Sequence, residues 1–257
     1  MNSTIYMLEQ KAKVQDKKEI KKWHVYHFDT VASTNDIARN LTPWSAVIAD
    51  IQTLGRGRYG RHWVSDRGGL WLSMVVPVRG ERRRWKALPL AAGWAVLKVV
   101  KALGVDNVRL RWPNDIMVND LKLAGVLVEQ FCEEMAVVGV GINVTNSPVH
   151  VCSNLARTVT RLSDVIYTPP CILDLVKLIL KAMTSIHYQM DRHGFPILLN
   201  EINASWGTPC RVKYETDGGI QQGFFVGINE YGDQIIENES GYKQIYSPLQ
   251  VKLFREI

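Results

Sequence analysis

The sequence predicts an α+β fold, with a mixed or antiparallel sheet flanked by helices and a small all-β module behind it. Three observations carry this reading. Leu70-Trp-Leu-Ser-Met-Val-Val76 is short and apolar but for one serine, the mark of a buried strand. Ile172, Leu175, Val176, Ile179, Met183, Ile186 and Met190 recur at the helical period. Beyond Thr208, short β-like runs alternate with the turn signals Asp217-Gly218-Gly219, Tyr231-Gly232-Asp233 and Ser240-Gly241.

The elements follow in order. Residues 1–22 are rich in Lys, Glu and Gln and lack a signal-peptide core, so they read as a polar lead-in, partly helical or frayed. Residues 23–28 alternate as a strand does, and His24 and His27 on it read as structural. Ser33 or Thr34 suits the N-cap of a short helix towards Leu41. Residues 44–49 and 69–76 read as core strands on either side of a Gly/Arg loop. A helix begins at Trp85 or Leu88 and ends at Leu103, with Gly104 just past it. Strands are expected at 108–111, 116–118, 122–128 and 136–144, with Asn119-Asp120 as a turn. Pro113 interrupts the ladder, and Gly125, Gly139 and Gly141 leave room for something to approach the sheet. Thr168-Pro169-Pro170 opens the long core helix, and residues 196–204 form another. The runs 210–214, 220–228, 234–237 and 243–246 make a small antiparallel barrel of the SH3-like kind. The expected domains are therefore a lead-in at 1–22, an α+β domain at 23–206 and a β domain at 207–257.

Composition narrows the function. The chain has 257 residues, 46% apolar and 22% charged, ordinary for a globular protein with a well-buried core. No apolar run approaches the roughly 20 residues of a membrane span, and a cytoplasmic protein without a membrane partner is expected. The net charge of +6 is too mild to demand nucleic acid, though it can steer an acidic partner. Cys132, Cys152, Cys171 and Cys210 are scattered without a C-x-x-C pair, which argues for reduced, packed thiols and against a zinc site.

The stretch Gln52-Thr-Leu-Gly55-Arg56-Gly57-Arg58-Tyr59-Gly60-Arg61-His62-Trp63 carries the chemistry. Glycine lets the main chain come close to a ligand. Guanidinium forks and exposed N–H groups suit phosphate or carboxylate oxygens. Held between two core strands, such a loop is a ligand loop on a rigid scaffold rather than a solvated basic turn.

This stretch, followed by Ser65, resembles the Gly/Arg signature of the biotin protein ligases. Arg111-Trp-Pro-Asn-Asp115 with Lys122-Leu-Ala-Gly125 resembles the second signature of that family, and Ser33-Thr34-Asn35 and Gly139-Val-Gly141-Ile-Asn143 fit as further elements in the right order. The resemblance implies a class II synthetase-like catalytic domain that activates biotin with MgATP to biotinyl-5′-AMP. The biotinyl group then passes to a lysine of a biotin carboxyl carrier domain. It implies Lys122, Arg56 and Asp115 as catalytic. Biotin would be held by Ser33, Thr34, Asn35, Gln52, Gly55, Arg56, Gly57, Arg58, Trp63, Lys122 and Gly125. ATP and the adenylate would be held by Arg58, Arg61, Trp63, Arg111, Asn114, Lys122 and Asn143. Lys122 would lie between the biotin carboxylate and the α-phosphate, and Asp115 would orient Lys122 or a Mg²⁺-bound water, with no metal ligand assigned.

The polar groups of Ser33, Thr34 and Gln52 match the carbonyl and N–H groups of a buried ureido ring. A Gly/Arg loop can be poorly ordered when empty and close over a hydrolysable adenylate. The motif usually opens on Lys where this chain has Arg111, which keeps the charge and changes the donor geometry. Larger members carry a helix-turn-helix, for which residues 1–22 are too short, so no DNA partner is expected. A homodimer is plausible for the family. The rival readings are a lipoate or octanoyl ligase on the same fold, a basic nucleic-acid-binding module, and an inactive biotin-binding regulator.

Overall fold

The computed structural model describes residues 14–20, 22–80, 82–146, 148, 158–207 and 209–257, which leaves Cys152 outside. Its main sheet has eight strands: β1 (Val14–Ile20), β2 (Trp23–Val31), β3 (Ser45–Gln52), β4 (Leu70–Pro77), β5 (Val108–Arg111), β6 (Asp115–Val118), β7 (Leu121–Gln130) and β8 (Met135–Ile142). Their order is β1-β2-β3-β4-β8-β7-β6-β5. β2 and β3 run parallel and every other neighbouring pair antiparallel, so the sheet is mixed, as expected.

β1 corrects the reading of the lead-in. Residues 14–20 are neither helical nor frayed but pair with β2 along its length. The sequence Val-Gln-Asp-Lys-Lys-Glu-Ile shows no apolar alternation. An edge strand needs only one hydrogen-bonded neighbour, and charge on it discourages further pairing.

The helices are α1 (Thr34–Ala38), α2 (Leu88–Ala102), α3 (Ile172–His193) and α4 (Pro196–Trp206). Eleven of the fifteen α2 residues are buried. It needs apolar residues all round because it lies between the sheet and α3. α3 buries a single stripe, from Leu175 to Met190, and begins at Ile172 rather than at Thr168. On β4, Leu70, Leu72, Met74 and Val76 join the core that contains α2 and α3, whereas Val75 joins a smaller cluster with α1. By strand alternation, Trp71 and Ser73 share the face of Val75, and Gly139 and Gly141 share the face of Val137. This second face is the one left open for a site.

The C-terminal strands are β9 (Cys210–Thr216), β10 (Gly219–Ile228), β11 (Gln234–Glu237), β12 (Lys243–Tyr246) and β13 (Leu253–Glu256). They form one antiparallel sheet in the order β12-β11-β10-β9-β13. β13, which pairs with β9, carries no apolar run and was not foreseen from the sequence. The module rests on the first domain: the Trp112 indole donates to the carbonyl of Gly232 at 3.0 Å, and the rings of Trp112 and Phe254 meet edge to face at 5.5 Å. No helix among the described residues is long and apolar enough to cross a membrane.

Candidate active site

A cavity of about 550 Å³ opens on the α1 face of the sheet, within the size range of small-molecule sites. Every candidate residue named from the sequence lines it except Gly55. At Gly55 a Cβ would stand 2.3 Å from the Ser65 hydroxyl and 2.5 Å from the Trp63 carbonyl, so this glycine serves the packing of the loop stem.

The glycines of β7 and β8 admit the protein's own side chains. A Cβ at Gly139 would lie 2.4 Å from the Asn35 side-chain oxygen, and one at Gly141 would lie 2.8 Å from the Trp63 indole nitrogen. Gly125 faces Gly141 across the ladder, and Trp63 lies against both. The indole N–H of Trp63 is buried without an acceptor among the described residues.

Three side chains form the charged centre. Lys122 on β7 contacts Asp115 on β6 at 2.6 Å, and Arg111 on β5 contacts the other oxygen of the same carboxylate at 2.8 Å. The short strands β5 and β6 and the first half of β7 set them side by side. Burial pushes the Asp115 carboxyl up, but the charges and hydrogen bonds of Lys122 and Arg111 outweigh it and hold the group below its usual range. The Lys122 ammonium also lies 4.9 Å from the centre of the Trp63 ring. One carboxylate thus shares two cations beside an aromatic wall, which leaves positive charge for an incoming anion.

At the opposite wall, α1 starts at Thr34. Ser33 occupies the N-cap position without a side-chain capping bond, so its hydroxyl is not used by the helix. The backbone N–H and hydroxyl of Thr34 both donate to the Gln52 side-chain carbonyl, at 2.8 and 3.0 Å, and the Gln52 amide donates to Ser65 at 3.0 Å. Ser73 sits within 2.7 Å of the Thr34 hydroxyl and 2.5 Å of the Asn35 side-chain carbonyl. These are buried, mutually satisfied polar groups of the kind a polar ring ligand can exchange with.

Arg56 is placed differently from the other cations. Its guanidinium forks onto Asp36 at 2.8 and 3.1 Å and also meets Glu129 at 3.0 Å, and Glu129 accepts from Asn35 at 2.6 Å. The hydrogen bonds to Asp36, with Glu129 adding to them against the cost of burial, raise its pKa further. Ser65, which follows the Gly/Arg signature, completes the site together with Asp36, Glu129 and Ser73, and these last three were not singled out in the sequence. Their partners are distant in the chain, and no local motif marks them.

Asn114 and Asn143 also reach the wall with their amides engaged. Asn114 donates to the Val126 carbonyl at 2.5 Å, next to the cis Trp112–Pro113 bond, and Asn143 donates to the Thr160 carbonyl at 3.1 Å. The C-terminal module supplies residues 251–256 of the wall, which sequence reasoning missed. Seven cationic side chains line the cavity (Arg56, Arg58, Arg61, Arg111, Lys122, Lys252, Arg255) against three acidic ones (Asp115, Asp120, Glu256), a balance that draws anions. No cluster of three or more His, Cys, Asp or Glu side chains able to hold a metal occurs among the described residues.

Comparison with known proteins finds relatives of this fold. The model of the biotin/lipoate A/B protein ligase family matches residues 28–143. The bifunctional ligase/repressor BirA of Bacillus subtilis is 30% identical over 242 residues, which span 90% of this chain and 74% of that protein. A biotin–[acetyl-CoA-carboxylase] ligase of Paracoccus denitrificans is 28% identical over 233 residues, 83% of this chain and 94% of the relative. Among solved structures, the biotin protein ligase of Aquifex aeolicus in complex with biotin and ATP superposes with a TM-score of 0.79 at 25% identity, covering 91% of this chain and 99% of that one.

Proposed function

We propose, from the premise that this chain belongs to the biotin/lipoate A/B protein ligase family, how its cavity performs the biotin ligase reaction. The chain is an ATP-dependent biotin protein ligase that uses biotin and ATP as substrates and modifies a biotin carboxyl carrier domain. In the first step a biotin carboxylate oxygen attacks the α-phosphorus of ATP, the bond to pyrophosphate breaks, and biotinyl-5′-AMP forms. In the second, the ε-amine of a carrier lysine attacks the acyl carbon, and AMP leaves with the electrons of the cleaved C–O bond.

One observation supports the residue assignment best: Arg111 and Lys122 converge on Asp115 at the edge of an anion-drawing cleft. The first step brings two anions together, so fixed cations at the point of contact lower its barrier. Lys122 is the central group, and Asp115 holds it and Arg111 in place. Thr34 and Gln52 take the ureido ring by exchanging the bonds they now make with each other, and Ser33 adds a hydroxyl that the helix does not use. Asn35 and Gly57 shape that end of the pocket, and Trp63 covers the intermediate. Arg56 acts by fixing Asn35 and Glu129 rather than by touching phosphate. Arg58 and Arg61 take the nucleotide, while Asn114 and Asn143 brace the wall. Magnesium would come with the triphosphate, as part of that substrate, and would offset its charge. A site with single carboxylates such as Asp115 and Asp120 suits an ion held mainly by phosphate and water.

We further read residues 23–206, with β1 added, as the catalytic unit and 207–257 as an SH3-like barrel, in a cytoplasmic homodimer. The lipoate reading is the weaker one, because the Paracoccus denitrificans and Aquifex aeolicus proteins named above are biotin ligases. ATP-dependent transfer of labelled biotin to a carrier domain tests the assignment. Labelling with biotin but not lipoate is expected, and labelling with lipoate alone overturns it.

A further inference from the structure

The tip of the Gly/Arg loop is fastened to the C-terminal module. The loop stem is a small ladder, with Arg56 bridged to His62 and the Gly57 N–H donating to the Arg61 carbonyl at 2.7 Å. At the tip, Tyr59 takes a left-handed backbone conformation with φ 58°, which a bulky residue adopts only when its surroundings hold it there. Its phenol oxygen stands 2.9 Å from the Pro248 carbonyl and 2.8 Å from the Val251 carbonyl, and it accepts from Arg58 at 2.9 Å. Arg58 also donates to the Pro248 carbonyl, and Arg61 donates to the Lys252 carbonyl at 2.9 Å. The turn between β12 and β13 thus offers three carbonyls, and one loop takes all of them. An expectation of poor order based on glycine alone leaves these contacts out.

We propose that Tyr59 is a positioning residue. Its hydroxyl latches the ligand loop to the C-terminal module and so keeps the cavity covered while a reactive acyl-adenylate is inside. This deepens the ligase reading and rests on it. The hydroxyl is the centre of the latch because it reaches two carbonyls of one segment distant in sequence, and because it also orders Arg58 on one of them. Arg58 and Arg61 leave those carbonyls only if they find better acceptors, and phosphate oxygens are such acceptors. The Tyr59 hydroxyl keeps its own carbonyl contacts when the arginines turn to a ligand, so the loop stays fastened over the adenylate.

The test compares the full chain with Tyr59→Phe, which removes one oxygen and no core contact. Trypsin cuts after arginine, so nicking at Arg58 and Arg61 of the ligand-free chain reports the latch directly. We expect several-fold faster nicking in the variant with an unchanged melting temperature. With biotin and MgATP but no carrier, we expect several-fold faster AMP release, since an uncovered adenylate meets water. Equal nicking and equal AMP release in the two proteins overturn the proposal, as does faster nicking with AMP release unchanged. A wild-type chain that makes no AMP from biotin and ATP defeats the ligase reading instead, and the trypsin comparison then still decides whether the latch exists.

Discussion

The chemistry turns on a few side chains whose charges are not independent. Lys122 and Arg111 are close enough to repel, and Asp115 holds them together. Replacing Lys122 with Ala removes the cation that we propose stands at the reacting oxygens. Adenylate formation, measured as biotin-dependent pyrophosphate release, should fall by a factor on the order of 10² to 10³, the scale typical of one lost electrostatic contact. The fold should stand, since the side chain is only partly buried. Asp115→Asn acts through two partners at once, and both activity and stability should drop. The pH dependence has a definite sign. The folded-state carboxyl lies below its ordinary range, so its stabilisation is complete above the unfolded value of about 3.9 and is lost as pH falls below it. Acid unfolding followed by circular dichroism should therefore show a wild-type advantage over Asp115→Asn at neutral pH that shrinks towards pH 2 to 3 (roughly the end of carboxylate titration). An advantage that persists in acid would mean Asp115 stabilises the fold by packing alone.

Among the elements, β7 and β8 explain why glycine recurs where strands usually avoid it. Gly139 gives up its side-chain space to Asn35, and Gly141 gives up its own to Trp63. Gly139→Ala should push Asn35 off Ser73 and Glu129 and weaken biotin binding about tenfold or more, the scale of one or two lost buried hydrogen bonds. Isothermal titration measures this, and unchanged affinity would place the ring elsewhere. The sequence announced the gaps without saying what fills them, because the filling residues come from α1 and from the loop, far along the chain. The same limit explains β1 and β13, whose pairing depends on a neighbour rather than on their own apolar pattern. Strands buried on both faces, such as β4, and the one-turn spacing of the apolar residues on α3 were readable because burial leaves a local imprint. The site residues were readable as motifs. Which of them face a ligand and which face each other was not, since Arg56, Asn114 and Asn143 differ from Lys122 only in their tertiary partners.

At the scale of the molecule, the cavity belongs to both domains. Its floor is the main sheet, and one wall is residues 251–256 of the C-terminal module. Arg109 on β5 forks onto Glu256 on β13 and also reaches Asp120 at 2.8 Å. Burial works against its charge, but Glu256 and Asp120 outweigh that cost and raise its pKa further. This cluster lies at the same seam as the edge contact of Trp112 with Phe254, so it fixes the angle at which the wall meets the floor. Glu256→Gln keeps the volume and removes the charge, leaving a half-buried Arg109 with one exposed partner. If the seam only buttresses the fold, the variant should lose a few degrees in melting temperature, as about 1 kcal/mol does in a chain of this size, and turn over normally. If the module's wall shapes the nucleotide end of the cavity, KM for ATP should rise several-fold while KM for biotin, which we propose binds at the α1 end, stays close to wild type. We expect the second pattern, because Arg255 and Glu256 line the cavity themselves, and steady-state pyrophosphate release with each substrate varied in turn separates the two.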